Sequence, residues 1–350
     1  MKTIAVALSG GIDSSLSAFL LKKEGYRIIG LHADFGFSAK SSLPWLEKIT
    51  SFLKIPLEVL PLKEAFQKGI VDYFVSEYVS GRTPNPCVIC NPTIKFGLLF
   101  KKARALGADG FATGHYARIV NAPWGEGLTI ARGLDREKEQ SYFLHRLLAE
   151  ELKEFFFPLG NWTKNKVKET ARQVGLPLSP KGESQDICFL PQGGYREFLA
   201  RQADPAMIRP GEIQDIHGNI LGAHQGLFAY TVGQRRGLGL AAKTPYYVIR
   251  IEPGYNRLII GEKKDLKSTG CWLSDFHWIC QPPNLLNLSV LAQIRYRHKP
   301  ARASVIVTEG AKLGIRFQTP QQAVTPGQAA VLYQEDQILG GGWIEAPWKE

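Results

Sequence analysis

IAVAL at 4–8 runs directly into SGGIDSS at 9–15, and this stretch decides the fold of the chain. The apolar run predicts a buried strand, and the apolar pattern over 16–21 predicts a helix. Between them, two glycines allow a tight turn and a close approach of the backbone to a ligand. The serine hydroxyls and the first amides of the helix then face one concavity. Because amides at a helix start bind anions, the stretch predicts an anion site.

The turn at 9–15 differs from the two common phosphate-binding loops. A Walker loop needs a lysine after its second glycine, and the dinucleotide loop needs G-x-G-x-x-G. The turn resembles the SGGxDS pyrophosphate loop (PP-loop) of the ATP pyrophosphatases. That resemblance implies that ATP binds here, that its α-phosphate is attacked and that pyrophosphate leaves. The alternative is an ordinary strand–turn–helix joint.

Composition indicates a folded protein with a basic surface. The chain has 350 residues, of which 44% are hydrophobic and 21% charged; this excludes a disordered chain and allows two or three domains. Its net charge of +11 favours a polyanionic partner. We expect no membrane span, because no apolar run is long enough, and a cytoplasmic location, because no signal peptide precedes the motif at 9–15.

Strand and helix signals alternate in the first half of the chain. Strands are predicted at 27–31, 57–60 and 110–113, and helices at 63–79, 94–106 and 164–174. This alternation predicts a parallel sheet with right-handed crossovers, in which ligands lie at the carboxyl ends of the strands. The loop at 9–15 and the segment at 113–116 both follow strands, so we expect them to share one crevice.

The pattern changes after about Phe198, where short β-rich runs between turns predict a β-barrel or sandwich. We therefore predict an α/β fold: a parallel-sheet, adenine-nucleotide α-hydrolase-like (PP-loop) domain, a small central domain and a C-terminal β-barrel. The predicted bounds are 1–198 for the PP-loop catalytic domain, 199–270 for the central β-rich domain and 271–350 for the barrel.

Five cysteines in such a chain are more typical of catalysis, metal binding or inert burial than of disulfides. Cys87 and Cys90 form a C-x-x-C in a proline-rich loop before a predicted helix, and a helix N-terminus lowers the pKa of a thiol. Cys188 adds a third thiol. A lone C-x-x-C fits half a zinc site, a dithiol redox pair or a pair of cluster ligands. Cys271 and Cys280 have aromatic neighbours, which favours buried, inert thiols.

Eight further sequence motifs, beyond the turn at 9–15, show a second resemblance to a known family. They are GRTPNPCVICN at 81–91, IKFG at 94–97, ATGHYAR at 112–118, EQSYFL at 139–144, FPLG at 157–160, SQDICF at 184–189, YTVGQRRGLG at 230–239 and PGQAAV at 326–331. On these motifs, which span nearly the whole chain, it resembles the bacterial tRNA-specific 2-thiouridylases. The resemblance implies a tRNA uridine 2-sulfurtransferase that thiolates the wobble uridine. ATP adenylates the C2 oxygen with release of pyrophosphate, and sulfur transfer then releases AMP.

The resemblance also implies a relay between two cysteines. Cys188 would carry the incoming sulfur as a persulfide, and Cys90 would be the nucleophile that releases it, forming a transient disulfide. Many members have Asp where this chain has Cys87, so a third thiol stands at a position tied to proton transfer. Alternatively, Cys87, Cys90 and Cys188 would hold a [4Fe-4S] cluster whose open iron binds the sulfide. The residues leave persulfide and cluster equally open.

The resemblance further assigns contacts to ATP and to tRNA. The ATP contacts are Ala7, Leu8, Ser9, Gly10, Gly11, Ile12, Asp13, Ser14, Ala33 and Gly114. The tRNA contacts are Asn85, Pro86, Cys87, His115, Lys138, Glu139, Gln140, Arg295, Tyr296 and Gln328, with residues 85–87 facing the target base. Many members carry Met instead of Ala33 and a longer insert after it, which this chain shortens between Asp34 and Leu43.

The chemistry of this reaction fits the residues. The C2 oxygen of uracil is a poor leaving group, and adenylation makes it a good one. Mg²⁺ would offset the phosphate charge, and Asp13 is a candidate for orienting it or its waters. The base must leave its stack to react, so an anticodon loop is a fitting substrate. Basic segments at 234–236 and 295–302 would hold phosphates, the alternative being solvated basic edges.

We therefore expect ATP and Mg²⁺, the anticodon loop of tRNA, and a sulfur-donor protein or sulfide, with no membrane and no DNA. Two other functions stay open. One is another PP-loop ATP pyrophosphatase that adenylates a small molecule, which needs neither three thiols nor a basic β-rich tail. The other is a non-enzymatic RNA-binding module whose thiols hold a structural metal.

Overall fold

The computed structural model describes residues 1–37, 39–125, 127–177, 187–191, 194–202, 209–240, 244–285 and 288–349, with only the backbone at 39–42. The described strands form a five-stranded, a four-stranded and an eight-stranded sheet. The first belongs to the first half of the chain, and the other two contain the strands of the second half. This is the fold class that the sequence predicts.

The first sheet is parallel. Its strands are β1 (Thr3–Ala7), β2 (Arg27–Asp34), β3 (Leu57–Pro61), β4 (Gly110–Ala112) and β7 (Phe155–Phe156). They lie in the order β3-β2-β1-β4-β7, and each adjacent pair is parallel. Side chains of β1 alternate between two apolar cores, with Ile4 and Val6 in one and Ala5 in the other. Both faces of the sheet are therefore covered, as in other α/β proteins.

Helices cover these two faces. They are α1 (Ile12–Lys23), α2 (Ala39–Leu53), α3 (Lys63–Phe66), α4 (Asp72–Val79), α5 (Pro86–Cys90), α6 (Phe100–Ala105), α7 (Lys164–Gln173) and α8 (Gly194–Gln202). Two π-helical stretches, Gln67–Val71 and Asn91–Leu99, join α3 to α4 and α5 to α6. The helix predicted at 94–106 thus begins earlier, at Pro86, because the fixed φ of proline suits a first helical turn.

Helix α7 begins and ends where its sequence predicts. The Thr163 hydroxyl accepts a hydrogen bond from the Lys166 N–H, which is a side-chain N-cap. Gly175 follows the last turn with φ +71°, a conformation that favours glycine. The helix therefore places its first residue, Lys164, at a fixed point beside the sheet.

The four-stranded sheet forms the central region. Its strands are β8 (Gly211–Asp215), β9 (Ile220–His224), β10 (Tyr247–Glu252) and β11 (Arg257–Gly261), in the order β10-β11-β8-β9. Ile213, Val248 and Leu258 lie in its own buried cluster. This region therefore has an apolar core separate from that of the parallel sheet.

The eight-stranded sheet contains a closed barrel. Its strands are β12 (Lys267–Trp278), β13 (Ser289–Gln293), β14 (Ala301–Val307), β15 (Leu313–Gln322), β16 (Ala329–Gln334) and β17 (Gln337–Trp348). The pairing of β17 with β12 closes the ring. A hairpin from the first half, β5 (Ala117–Asn121) and β6 (Leu128–Arg132), joins β17 through Gln337 and Ala131.

The barrel and the parallel-sheet region share a core. Phe111 of β4, Phe155 of β7 and Tyr142 pack in the same buried cluster as Val331 and Tyr333 of β16. Burial of apolar surface stabilises this contact and limits relative motion of the two parts. The barrel is thus fixed against the first half of the chain by packing as well as by the hairpin.

The sequence does not predict the two longest strands, β12 and β17. Gly340, Gly341 and Gly342 interrupt the apolar alternation of β17, and glycine weakens a strand signal. A Cβ at Gly341 would lie 2.4 Å from Cδ2 of His145, so the close approach there requires glycine. Among the described residues, no helix combines the length and apolarity that crossing a membrane demands.

Candidate active site

The turn between β1 and α1 is held by its own serines. Gly10 adopts φ +81°, which other residues rarely adopt. The Ser9 N–H donates to Ser14 Oγ over 3.2 Å, and the Ser14 and Ser15 hydroxyls donate to the Gly11 carbonyl over 3.1 and 2.8 Å. The first-turn amides of α1 have no intrahelical acceptors. The turn therefore offers a group of N–H donors suited to an anion.

A buried ion pair adjoins this turn. Lys164 Nζ lies 2.8 and 2.7 Å from the two carboxylate oxygens of Asp13, and the Tyr116 hydroxyl donates to Asp13 Oδ1 over 2.7 Å. The Lys164 side chain is only 6% exposed, whereas that of Asp13 is 32% exposed. Helix α7 thus places a buried ammonium beside the amides of the turn, where a polyphosphate would gain from both.

Gly114 brings the end of β4 against the same turn. A Cβ there would lie 2.9 Å from the Asp13 carbonyl carbon and from Ser14 N, so the approach requires glycine. Ala33 is half-buried near the end of the neighbouring strand β2. The predicted ATP positions, residues 7–14, Ala33 and Gly114, therefore lie toward the carboxyl ends of three adjacent strands. The segments 9–15 and 113–116, which are expected to share one crevice, are therefore in contact.

The three candidate thiols lie in two segments of the chain. Cys87 and Cys90 are half-buried in α5, and Cys188 is exposed in a turn that continues into Phe189. The Phe189 ring centroid lies 5.7 Å from that of Phe66, and Cys90 contacts the same apolar cluster. Packing of Phe189 therefore brings Cys188 to the Cys90 side of α5. Cys271 and Cys280 are buried in the barrel region, as predicted.

The environment of the thiols favours their protonated forms. Desolvation by the surrounding protein raises the pKa of half-buried Cys90 to about 12, and it also raises the pKa of Cys87. Neighbouring segments partly desolvate Cys188 as well, although its surface is exposed, and raise its pKa to about 11. The Lys95 ammonium opposes each of these shifts. Charge on Cys188 and Cys87 raises the Cys90 pKa further, so the thiols are electrostatic neighbours. The prediction that the helix N-terminus lowers the thiol pKa is wrong, because desolvation outweighs it.

The placement of the donor groups limits which metals the site could hold. Within the described residues, no group of three or more His, Cys, Asp or Glu side chains is placed to hold a metal ion. Cys87, Cys90 and Cys188 therefore do not converge on a single metal ion. A [4Fe-4S] cluster, which is larger than one ion and spaces its cysteines more widely, stays a prediction. Both carboxylate oxygens of Asp13 accept from Lys164, so an Mg²⁺ ion at this carboxylate would share it with an ammonium. A role of Asp13 in orienting Mg²⁺ or its waters stays a prediction.

Three of the predicted tRNA positions are buried: Pro86 and the two titratable residues, His115 and Glu139. His115 Nδ1 lies 2.7 Å from Thr113 Oγ1, and burial lowers the pKa of His115 well below its usual value. The Glu139 carboxylate accepts from the Ser141 N–H over 3.1 Å and from its hydroxyl over 2.6 Å. Both side chains are therefore engaged inside the protein.

The other predicted tRNA positions are half-buried. Tyr296 stacks near Phe143, with ring centroids 4.3 Å apart, and Arg295 donates to the Gln322 carbonyl over 3.2 Å. The predicted positions with half-buried side chains are Asn85, Cys87, Lys138, Gln140, Arg295, Tyr296 and Gln328. Exposed basic side chains at the predicted basic segments are Arg235, Arg236, Arg297, Lys299 and Arg302.

Lys164 and Lys95 are site residues that the sequence analysis did not assign. Lys164 was hidden because it lies about 150 residues from its partner Asp13. The sequence feature that could have indicated Lys164 is the Thr163 N-cap, because it makes Lys164 the first residue of α7. Lys95 lies in the IKFG motif at 94–97, and only the fold shows that its charge acts on three thiols and on His115.

Comparison with protein families covers nearly the whole chain. Residues 2–192 match the family model described as the tRNA methyl transferase HUP domain. Residues 196–262 match the tRNA methyl transferase PRC-barrel domain, and residues 268–344 match the aminomethyltransferase beta-barrel domain. These matches agree with the parallel sheet, the central four-stranded sheet and the closed barrel.

Curated proteins match over their full lengths. The tRNA-specific 2-thiouridylase MnmA of Geobacter metallireducens is 44% identical, covering 100% of this chain and 98% of the relative. MnmA of Carboxydothermus hydrogenoformans is 42% identical, covering 98% of each. Among solved structures, a 4-thiouridine synthetase–RNA complex with bound ATP overlaps with a TM-score of 0.39 and 18% identity, over 59% of this chain and 51% of that one.

Proposed function

The chain belongs to the tRNA-specific 2-thiouridylase family, and we propose that it catalyses ATP-dependent 2-thiolation of the wobble uridine in tRNA. The C2 oxygen of uracil attacks the α-phosphate of ATP, and pyrophosphate leaves. Sulfur then attacks C2, and AMP leaves. The observation that carries the proposal is the placement of Cys90 and Cys188, far apart in sequence, beside one apolar cluster and within the field of Lys95.

Residues 7–14, Ala33 and Gly114 form the proposed ATP site. The first-turn amides of α1 bind the departing phosphates, and Lys164 offsets their negative charge as pyrophosphate leaves. Asp13 and Tyr116 hold Lys164 in place before ATP arrives. Mg²⁺ enters the proposal only as the counterion that ATP carries, and no protein ligand is assigned to it.

Cys188 and Cys90 carry out the proposed sulfur transfer. A donor protein that carries a persulfide first passes its terminal sulfur to the Cys188 thiolate and leaves as a thiol. Free sulfide loads Cys188 only by attacking Cys188 Sγ of a Cys90–Cys188 disulfide, which releases the Cys90 thiolate. Its terminal sulfur attacks C2 of the adenylated base and forms the C–S bond. The Cys90 thiolate then attacks Cys188 Sγ and breaks the S–S bond, whose electron pair stays on the transferred sulfur and expels AMP. A Cys90–Cys188 disulfide remains, and a dithiol reductant restores both thiols.

Cys87 and Lys95 support this transfer. Lys95 favours the thiolate forms in an environment that otherwise opposes them, and binding of tRNA would shield the attacking sulfur from water. Cys87 stands between the target-base residues Asn85 and Pro86 and the nucleophile, where it serves as a third thiol for proton transfer.

We propose that tRNA lies across residues 138–140 and 295–296 and the exposed arginines at 235–236. The target uridine leaves its stack and enters the space beside residues 85–87. His115 and Glu139 support this surface from beneath it. We divide the chain into a catalytic domain at 1–198, a central domain at 199–270 and a tRNA-binding barrel at 271–350. These substrates place the protein in the cytoplasm.

The proposal is tested by an anaerobic assay of the purified protein with ATP, Mg²⁺, unmodified tRNA and a small-molecule persulfide as the sulfur source. We expect 2-thiouridine, measured by mass spectrometry, with one AMP and one pyrophosphate released per thiolated base. An α,β-methylene analogue of ATP is the matched control and should give no product. AMP release without 2-thiouridine would instead indicate adenylation of another substrate. Product that requires stoichiometric iron would overturn the persulfide relay.

A further inference from the structure

The barrel holds the loop that leads into the cysteine helix. Gln328, just before β16, donates its side-chain N–H groups to the Thr83 carbonyl over 2.9 Å and to the Pro84 carbonyl over 3.3 Å. The Thr83 N–H in turn donates to the Pro326 carbonyl over 2.9 Å. Three hydrogen bonds therefore join the turn 326–328 to the backbone immediately before Asn85 and α5.

Further bonds fix the cysteine end of this loop. The Tyr142 hydroxyl donates to the Ala329 carbonyl over 2.9 Å, and the nearby Asn85 side chain opposes the rise in its pKa that burial causes. Asn91, which is buried, donates to the Cys87 carbonyl over 3.0 Å. Asn91 also donates to the Phe143 carbonyl over 3.3 Å, which joins the end of α5 to the segment that carries Tyr142. Through the Tyr142–Ala329 bond, that segment is joined to the barrel.

Close backbone packing leaves the loop little room to move. A Cβ at Gly327, where φ is +89°, would lie 2.9 Å from Thr83 N. On the other side, a Cβ at Gly81 would lie 2.6 Å from Cγ of Pro253 in the central region. The loop 82–85 is therefore confined between the barrel and the central region.

We propose that Gln328 is a positioning residue for sulfur transfer, because its amide sets the loop that places Cys90 against Cys188. This role rests on the proposed thiolation and differs from a direct contact with tRNA. Within the Gln328 side chain, only the amide nitrogen can donate to the carbonyls of Thr83 and Pro84. Those two bonds use both of its hydrogens inside the protein. The barrel accordingly takes part in the chemical step as well as in tRNA binding.

Gln328→Met tests the proposal, because methionine keeps the length of the side chain and removes both donors without adding charge. With ATP and tRNA saturating, we expect the single-turnover rate of 2-thiouridine formation to fall about 10- to 100-fold, the cost of a misplaced reacting group. The Kd for tRNA should change less than about twofold, since no phosphate contact is lost. Gln334→Met, at the far end of β16, is the matched control and should leave both values unchanged.

Amide hydrogen exchange tests, without any turnover, whether the hydrogen bonds from residues 326–328 hold the loop 82–85. Exchange of the Thr83 N–H should accelerate at least about tenfold in Gln328→Met and stay unchanged in Gln334→Met. Gly327→Ala should accelerate it too, whereas Gly310→Ala, whose Cβ has only one neighbour at 4.0 Å, should not. If the wild-type protein forms no 2-thiouridine, the proposed function is wrong. The exchange rates still show whether Gln328 holds the loop 82–85.

Two results would overturn the positioning role. One is a raised Kd for tRNA with an unchanged rate at saturation, which would make Gln328 a tRNA contact. The other is unchanged exchange of the Thr83 N–H in Gln328→Met, which would show that the loop holds its position without the amide.

Discussion

The nucleotide end of the site, residues 9–15 with Lys164 and Gly114, and the sulfur end, the loop 82–85 with α5 and Cys188, are built differently. Hydrogen bonds within the nucleotide turn join residues three to five positions apart. At the sulfur end, the bond from Gln328 to Thr83 joins residues 245 positions apart. A local motif is therefore sufficient to build most of the nucleotide end, whereas the sulfur end needs the whole fold.

The largest effect is expected from a one-atom substitution at the sulfur end, which should leave the nucleotide end unaffected. Cys90→Ser removes the nucleophile, so 2-thiouridine formation should fall at least about 1,000-fold, while ATP binding at the other end stays unchanged. Mass spectrometry of the tRNA and the Kd for ATP measure the two effects. Cys280→Ala is the control and should thiolate normally. A Cys90→Ser protein that unfolds would support a structural metal instead.

Lys164→Met acts on the nucleotide end. Loss of the ammonium should slow pyrophosphate release about 100-fold, since a charge that offsets the leaving group is gone. It also leaves Asp13 without its ion-pair partner, which should cost about 2 kcal/mol of stability after allowance for the partial exposure of that carboxylate. Pyrophosphate release and urea unfolding measure these effects. Lys166→Met, exposed two residues later, should change neither, and equal losses in both variants would contradict the assignment.

Arg235→Ala combined with Arg236→Ala tests the basic surface that serves both ends. Both side chains are exposed. We expect the Kd for tRNA to rise about tenfold near physiological salt and the slope of log Kd against log salt to fall by about two. Arg172→Ala, exposed on α7, is the control. An unchanged salt dependence would show that these arginines form a solvated edge with no role in binding.

The smallest effect concerns the ionisation of the thiols. With the Cys188 pKa near 11, its alkylation rate should rise about tenfold per pH unit from pH 8 to pH 10 without a plateau, since only the thiolate reacts. Lys95 lowers this pKa, so Lys95→Met should slow alkylation at pH 9 by about threefold. Lys101→Met, exposed on α6, is the control. A plateau of the alkylation rate below pH 9 in the wild-type protein would contradict the desolvation that raises the Cys188 pKa.

The sequence predicts the nucleotide end well because its determinants are adjacent. The parallel sheet, the turn at 9–15, the cap at Thr163 and the contact of that turn with Gly114 all follow from local patterns, and the structure agrees with each. The sequence does not predict the role of Lys164, because its partner Asp13 is distant in sequence and such ion pairs leave no local pattern.

The sulfur end shows where local patterns fail. The C-x-x-C motif identifies Cys87 and Cys90 but leaves their chemistry open, and helix position alone predicts the wrong direction for their pKa values. Burial by segments far away in sequence, including the turn with Phe189, sets those values. The strands β12 and β17 are missed for a similar reason, since glycines such as Gly341 are there for close packing that only the fold reveals.

Trapping the adenylated base tests most directly whether the two ends are separable. The variant Cys90→Ser with Cys188→Ser is incubated with tRNA and ATP labelled at the α-phosphate. The account predicts one pyrophosphate released per active site in the first turnover, with the label retained on tRNA and no 2-thiouridine formed. Normal tRNA and ATP binding without pyrophosphate release would contradict it, because the nucleotide end would then depend on the thiols.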